Sequence, residues 1–250
     1  MKVILLWVFY PLIRPFYLLS LILNTLVLSL VIIVISPFDR NGRVVHYIGK
    51  FWSMLNLYLP GTRVSLKGKE KIAKNGTYVI MSNHQSLLDP WVLIAKLPLQ
   101  LRWVIRSNVR KVPVFGYALE RMGHIYVDKK SRKSMVRSLE IAVQQSKRGA
   151  SIVIFPEGTR SQDGNLLKFH RGGAAIAARA AVPILPLTIN GSRFVLPKNT
   201  LALMPGKIKV IVGDPIDPGE FKGKGEEALL EAVRTAIEKN QDLSYGDLTL

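Results

Sequence analysis

The chain has no cysteine among its 250 residues, which excludes disulfides, thiolate metal sites and a cysteine nucleophile together. Acidic residues are also scarce: 17 Asp and Glu stand against 35 Lys and Arg, so a formal charge of +18 favours anionic partners. Nucleic acid is not the partner expected, because Cys/His finger spacings and the aromatic-bearing strands of RNA-binding domains are missing. An anionic membrane surface and an anionic substrate account for the charge more economically. Histidines number only four; His46, His124 and His170 form no pair at helical spacing with accompanying carboxylates, so no metal and no cofactor is expected. A Gly-x-Ser-x-Gly elbow is lacking too, which leaves no obvious nucleophile for a covalent intermediate.

What is present is unevenly distributed. Hydrophobic residues make up 48% of the chain, but the first third is far more apolar than the rest. Residues 16–36 carry no formal charge, and a helix of that length is about 30 Å long, the thickness of a hydrocarbon core. Pro11 and Pro15 predict an interruption of this helix, and Ser20, Asn24, Thr25 and Ser29 reduce its apolarity. A hairpin dipping into one leaflet therefore competes with a true span. Basic residues lie on both sides of the segment and fix no topology. Residues 44–59 alternate apolar and aromatic positions with Arg43, His46 and Lys50, and read either as an interfacial amphipathic helix or as a helix packed on the domain.

After Pro60 and Gly61 the pattern changes to short apolar runs alternating with helical segments. Strands are expected at 63–66, 78–81, 102–105, 124–127, 151–155, 184–189 and 208–212. Helices are expected at 90–96, 115–122, 134–147, 171–181 and 226–239. This alternation predicts an α/β fold: a mixed, mostly parallel sheet flanked by helices, preceded by N-terminal membrane-attaching helices. The division is residues 1–60 for attachment and 61–250 for the α/β domain.

Two turns carry the chemistry. The strand at 78–81 runs into Ser82-Asn83-His84-Gln85-Ser86-Leu87-Leu88-Asp89-Pro90. Five helical steps would put His84 and Asp89 about 140° apart, so a turn must bring them together. Asp89 before Pro90 reads as a helix N-cap, with His84 in the preceding loop. A carboxylate on one ring nitrogen presents the other as a base for an alcohol; the bland alternative is a loop histidine beside a capping aspartate. The strand at 151–155 runs into Pro156-Glu157-Gly158-Thr159-Arg160-Ser161. Here Gly158 permits close backbone approach, Thr159 offers a hydroxyl and Arg160 a fork for phosphate, with Glu157 placed to cap or orient the arginine. A tight turn closed by a surface Glu and Arg is the alternative.

These residues resemble the 1-acyl-sn-glycerol-3-phosphate acyltransferases of the wider glycerolipid acyltransferase superfamily. Residues 83–89 resemble the family's His-x4-Asp motif. Residues 106–128, 155–161 (Phe-Pro-Glu-Gly-Thr-Arg-Ser at every position) and 182–187 resemble its second, third and fourth blocks. The sequence departs at Arg106, where lysine is common, and at Lys129, where arginine is usual. Both keep the charge and change the geometry of its presentation.

The resemblance implies transfer of an acyl chain from a thioester to the sn-2 hydroxyl of lysophosphatidic acid. His84 would act as general base with Asp89 orienting it. Glu157, Gly158, Thr159 and Arg160 would bind substrate, with Arg106 and Lys129 as further phosphate contacts. The donor would be acyl-CoA or acyl carrier protein, and the setting a bacterial inner membrane with the site facing the cytoplasm. Ten basic against two acidic residues between 102 and 137 suit anionic headgroups and either donor. The competing readings are another lysophospholipid or lyso-aminolipid acceptor, and a non-catalytic basic protein that binds membrane surfaces.

Overall fold

The computed structural model describes residues 2–200 and 203–247. Helix α1 (Lys2–Ile35) and helix α2 (Arg43–Tyr58) come first. Contrary to the interruption the prolines predict, α1 runs on through Pro11 and Pro15. Each proline removes one main-chain donor, and in a helix of 34 residues the bonds on either side carry the axis across that loss. Within it Arg14–Ile35, 22 residues, is long and apolar enough to cross a membrane.

Several polar groups of α1 face α2. Asn24 and Asn56 exchange amide hydrogen bonds at 2.9 and 3.0 Å, and Trp52 Nε1 donates to Thr25 Oγ1 at 2.9 Å. The Tyr17 hydroxyl donates to the Asn56 carbonyl at 2.9 Å. Positions 17, 24 and 25 share one helical face, so these bonds clasp the two helices along a single seam. Asp39 then starts α2 by accepting from the main-chain N–H groups of Arg43 and Val45. Helix α2 both packs and projects: Val45, Gly49, Ser53 and Leu57 are buried, while Val44, Tyr47, Phe51 and Met54 are exposed.

The strands are β1 (Arg63–Lys67), β2 (Val79–Ser82), β3 (Leu101–Arg106), β4 (Ile125–Val127), β5 (Ser151–Ile154), β6 (Ile184–Asn190) and β7 (Lys207–Val212). They form one 7-stranded sheet in the order β1-β7-β6-β2-β5-β3-β4. Every neighbouring pair is parallel except β6 with β7. The helices between and after them are α3 (Asp89–Lys96), α4 (Phe115–Arg121), α5 (Arg132–Lys147), α6 (Gly172–Ala180), α7 (Ser192–Val195) and α8 (Gly225–Glu238). All the expected strands and helices are present. The four-residue α7 and the 3-10 turns at Lys69–Lys71, Ser107–Lys111 and Pro218–Phe221 are additional, and all are too short to leave a periodic signal.

Both faces of the sheet are covered, which is why β2 is buried at all four positions and reads as a continuous apolar run. On one face Ile80, Leu101, Trp103 and Val153 pack with α3 and with Leu57 of α2. On the other, Val79, Met81 and Ile152 pack with Ala142 of α5, Ala174 and Ala177 of α6 and Val233 of α8. The small residues of α6 allow close approach: a Cβ on Gly173 would come within 2.8 Å of the Met81 sulfur. Parallel β2 and β5 end side by side, so the loops that follow them meet at the carboxyl edge of the sheet.

Candidate active site

Loop 83–88 begins by imitating a strand. Asn83 Nδ2 donates to the Ile189 carbonyl at 2.9 Å and its Oδ1 accepts from Ile189 N at 2.7 Å, pinning the loop to β6. His84 follows, and its Nδ1 lies 2.8 Å from Asp89 Oδ2. The same oxygen accepts from the N–H groups of Gln85 at 2.7 Å and Ser86 at 2.8 Å.

Asp89 therefore does not serve as the N-cap of α3 that its place before Pro90 predicts. Its carboxylate turns back, because three donors in the preceding turn converge on it, and no side chain caps α3. The aspartate is fully buried, and its Oδ1 has no partner among the described residues. An ionised carboxylate only accepts, so Nδ1 carries the proton of a neutral His84 and Nε2 keeps its lone pair. The imidazole is stacked on the Phe155 ring, centroids 4.0 Å apart and planes inclined by 12°. Its side chain is 16% exposed, enough to meet a substrate.

The loop after β5 supports this histidine from behind. Glu157 neither caps nor orients Arg160 as its spacing suggests. Its Oε1 accepts from His84 N at 2.8 Å and its Oε2 from Leu167 N at 2.9 Å. Two unpaired main-chain donors in a buried position draw the carboxylate inward. Burial raises the Glu157 carboxyl above its ordinary range, and the two main-chain bonds oppose that rise. Gly158 has φ of +67°, a conformation glycine adopts freely, and this turns its carbonyl toward two cations. Arg106 Nη2 donates to that oxygen at 2.8 Å and Lys129 Nζ at 3.0 Å. Burial and the neighbouring Arg106 hold the Lys129 ammonium below its ordinary range.

Arg160 lies on the same cavity wall, and its carbonyl accepts from Lys198 Nζ at 2.8 Å. Thr159 is exposed at the rim. Arg106, Lys129 and Arg160 take part in no ion pair among the described residues. Three uncompensated cations around one turn make a cradle suited to a phosphate dianion.

The cavity beside His84 has a volume of about 860 Å³. Its head holds His84, Arg106, Lys129, Gly158, Thr159 and Arg160, while Glu157 and Asp89 stand behind its wall. From the head it runs down β3 past Ile105 to Trp103, three residues or about 10 Å deeper. Trp52, Ile94 and Met122 wall that depth.

Sequence reasoning missed Phe155 as the ring under His84, Ser161 as a main-chain donor to the His84 carbonyl, and Lys198 and His170 near the cradle. Phe155 could have been found as the residue just beyond a buried strand, where an aromatic side chain reaches the edge of the site. Lys198 is 38 residues from the carbonyl it binds, and nothing local marks it.

Residues 63–190 match the model of the Acyltransferase family. A 1-acyl-sn-glycerol-3-phosphate acyltransferase of Pseudomonas aeruginosa is 34% identical over 211 residues, covering 84% of this chain and 80% of that protein. A chloroplastic 1-acyl-sn-glycerol-3-phosphate acyltransferase of Arabidopsis thaliana is 29% identical over 214 residues, covering 85% of this chain. The chain spans only 58% of that protein's length and 59% of a Brassica napus counterpart's. Among solved structures, the 1-acyl-sn-glycerophosphate acyltransferase PlsC of Thermotoga maritima shares the fold with a TM-score of 0.67 at 24% identity. That match covers 88% of this chain and 95% of the other.

Proposed function

The chain belongs to the acyltransferase family, and on that premise we propose that it transfers an acyl chain from an acyl thioester to the sn-2 hydroxyl of lysophosphatidic acid, giving phosphatidic acid for phospholipid synthesis. The observation that carries this reading is the His84 Nδ1 to Asp89 Oδ2 contact of 2.8 Å, in a ring that lines one cavity with three cations forming no ion pair among the described residues. A base and an anion cradle on one cavity suit an acceptor that carries a hydroxyl and a phosphate.

Arg106, Lys129 and Arg160 hold the phosphate, with the Thr159 hydroxyl at the rim. The sn-2 hydroxyl is then within reach of His84 Nε2. As that oxygen attacks the thioester carbonyl, its proton moves to Nε2 and the new C–O bond forms. Asp89 stabilises the imidazolium, whose charge matches a carboxylate otherwise buried without a cation. Collapse of the tetrahedral adduct breaks the C–S bond, and the imidazolium returns its proton to the departing sulfur. Ester and thiol leave, and the histidine is neutral again. Glu157 contributes by holding the His84 main chain rather than by touching substrate.

The acyl chain occupies the apolar depth beneath His84. Residues 1–60 attach the enzyme to the membrane: α1 and α2 leave Phe16, Ile22, Val34, Tyr47 and Phe51 exposed, a surface suited to lipid. The strongly basic α/β domain then lies on an anionic cytoplasmic leaflet, where the acceptor resides.

The test is transfer from labelled acyl-CoA and acyl carrier protein to lysophosphatidic acid in liposomes, wild type against His84→Ala. The wild type should make phosphatidic acid, and the variant should lose about 10²–10⁴ in kcat. A folded wild type inactive with both donors would sink the acceptor assignment, and a panel of other lysolipids would then identify the substrate.

A further inference from the structure

The cavity beside His84 reaches both faces of the sheet. Successive β3 residues point to opposite faces, and both sets line it: Trp103 and Ile105 on the α3 side, Val104 and Arg106 on the α5 side. The α3 side is the apolar depth already described. The α5 side is bounded by Met135, Ser138 and Leu139 of α5 and by Gly172 and Gly173 at the start of α6. Apart from the phosphate cradle at its Arg106 end, the transfer reaction leaves this side unused.

The two sides open on surfaces of opposite character. Leu87, three residues after His84, lines the cavity and is 49% exposed, and Thr25 and Leu28 of the apolar α1 line the same side. Met135 also lines the cavity and is 42% exposed; the exposed Arg132 lies one turn before it on the same face of α5 and Lys130 is exposed in the turn ahead of the helix, whereas Lys133 and Arg137 project from the opposite face. Only Asp128 and Glu140 are acidic in that neighbourhood. One mouth therefore suits a lipid arriving from a membrane, and the other suits an anionic, water-borne molecule.

A thioester donor is linear: an apolar chain, then the carbonyl and sulfur, then a pantetheine arm ending in phosphate. With its carbonyl at His84, the chain and the arm must leave in different directions. Resting on the acyl-transfer reading above, we propose that the α5–α6 side of the cavity is the phosphopantetheine site of the donor. The arm runs past Gly172 and Ser138 to a phosphate received beside Met135 by Arg132 and Lys130. This chemistry is common to CoA and acyl carrier protein. There is room for it, since a Cβ placed on Gly172 meets no atom within 4 Å.

The same open space makes Gly172→Leu a variant that fills the groove without displacing the fold, and Met135→Trp narrows the exposed mouth independently. Binding of 4′-phosphopantetheine and of CoA to the full chain in detergent micelles would be measured by calorimetry, beside steady-state kinetics. Each variant should weaken both ligands by at least about tenfold and raise KM for acyl-CoA and acyl carrier protein alike, with KM for lysophosphatidic acid unchanged. Unaltered binding overturns the proposal, as does a rise confined to the lysophosphatidic acid KM. A defect with CoA donors alone would assign the groove to the adenosine end of CoA and overturn it too. A wild type that binds phosphopantetheine here yet acylates no lysophosphatidic acid keeps this inference and sinks only the acceptor assignment.

Discussion

The main chain of His84 is held from both sides by the loop after β5: its N–H donates to Glu157 Oε1 at 2.8 Å, and its carbonyl accepts from Ser161 N at 2.7 Å. Gly158 and Arg160 lie between those two anchors, so the base and the phosphate cradle are parts of one rigid turn. Glu157→Gln keeps the shape but sets an amide nitrogen against a main-chain N–H, donor facing donor. The expected cost is about 1–3 kcal/mol of stability, with kcat falling about ten- to a hundredfold. KM for lysophosphatidic acid should move far less, since Glu157 touches no substrate. A rise in KM with kcat preserved would instead make Glu157 a substrate contact.

Asp89 differs from Glu157 in acting on the imidazole itself. Asparagine in its place can still accept from Gln85 and Ser86 N–H, so the turn should keep its shape. What it loses is the charge that stabilises the imidazolium. We expect Asp89→Asn to lower kcat by about 10²–10⁴ while leaving the thermal midpoint within a few degrees of wild type. A variant with near-normal kcat would show that the aspartate serves the turn and not the chemistry.

Chain-length preference should respond at the floor of the apolar depth. A Cβ on Gly49 would overlap the terminal methyl of Met122, and both residues line the cavity. The methionine end is flexible, so it can give way, and the open space available to it is the channel. Gly49→Ala should therefore shift the preferred donor toward shorter chains, with discrimination of about tenfold for each methylene excluded. Competition between acyl-CoA species of graded length measures this directly, and an unchanged length profile would move the floor elsewhere.

The strands, the helices and the two chemical turns were legible because each is a local pattern. An apolar run closed by glycine or proline marks a strand, and His84 and Asp89 fall within one turn of chain. The direction in which side chains turn was not legible. Glu157 looks like a partner for Arg160 but goes to the main-chain N–H groups of His84 and Leu167, while Asp89 reaches the His84 ring as its spacing requires but takes the N–H groups of Gln85 and Ser86 in place of capping α3. Asn24 and Thr25 looked like weaknesses in a membrane helix, yet they bond to Asn56 and Trp52 of α2, about thirty residues on. The cradle has the same character: Arg106, Lys129 and Gly158 come from three elements and meet only because β3, β4 and β5 are adjacent in the sheet.

Acid should loosen the contact between α2 and the domain. His46 is buried against Arg102, and its imidazole is pushed down to about 4, first by burial and then by the charges of Arg102 and Lys50. His124, fully enclosed near the same arginine, is lowered as well. A histidine depressed in the folded state stays neutral there but gains a proton once unfolded. The folded protein is therefore favoured above the ordinary value of 6.5, and this advantage is lost as pH falls from 6.5 toward 4. From pH 7 to pH 5, His46 alone should remove about 2 kcal/mol of stability. Thermal melts of the detergent-solubilised chain at the two pH values would measure it, and His46→Gln should shrink the difference without abolishing it, since His124 remains. An equal pH dependence in wild type and variant would mean that His46 is charged, or solvated, in the folded protein.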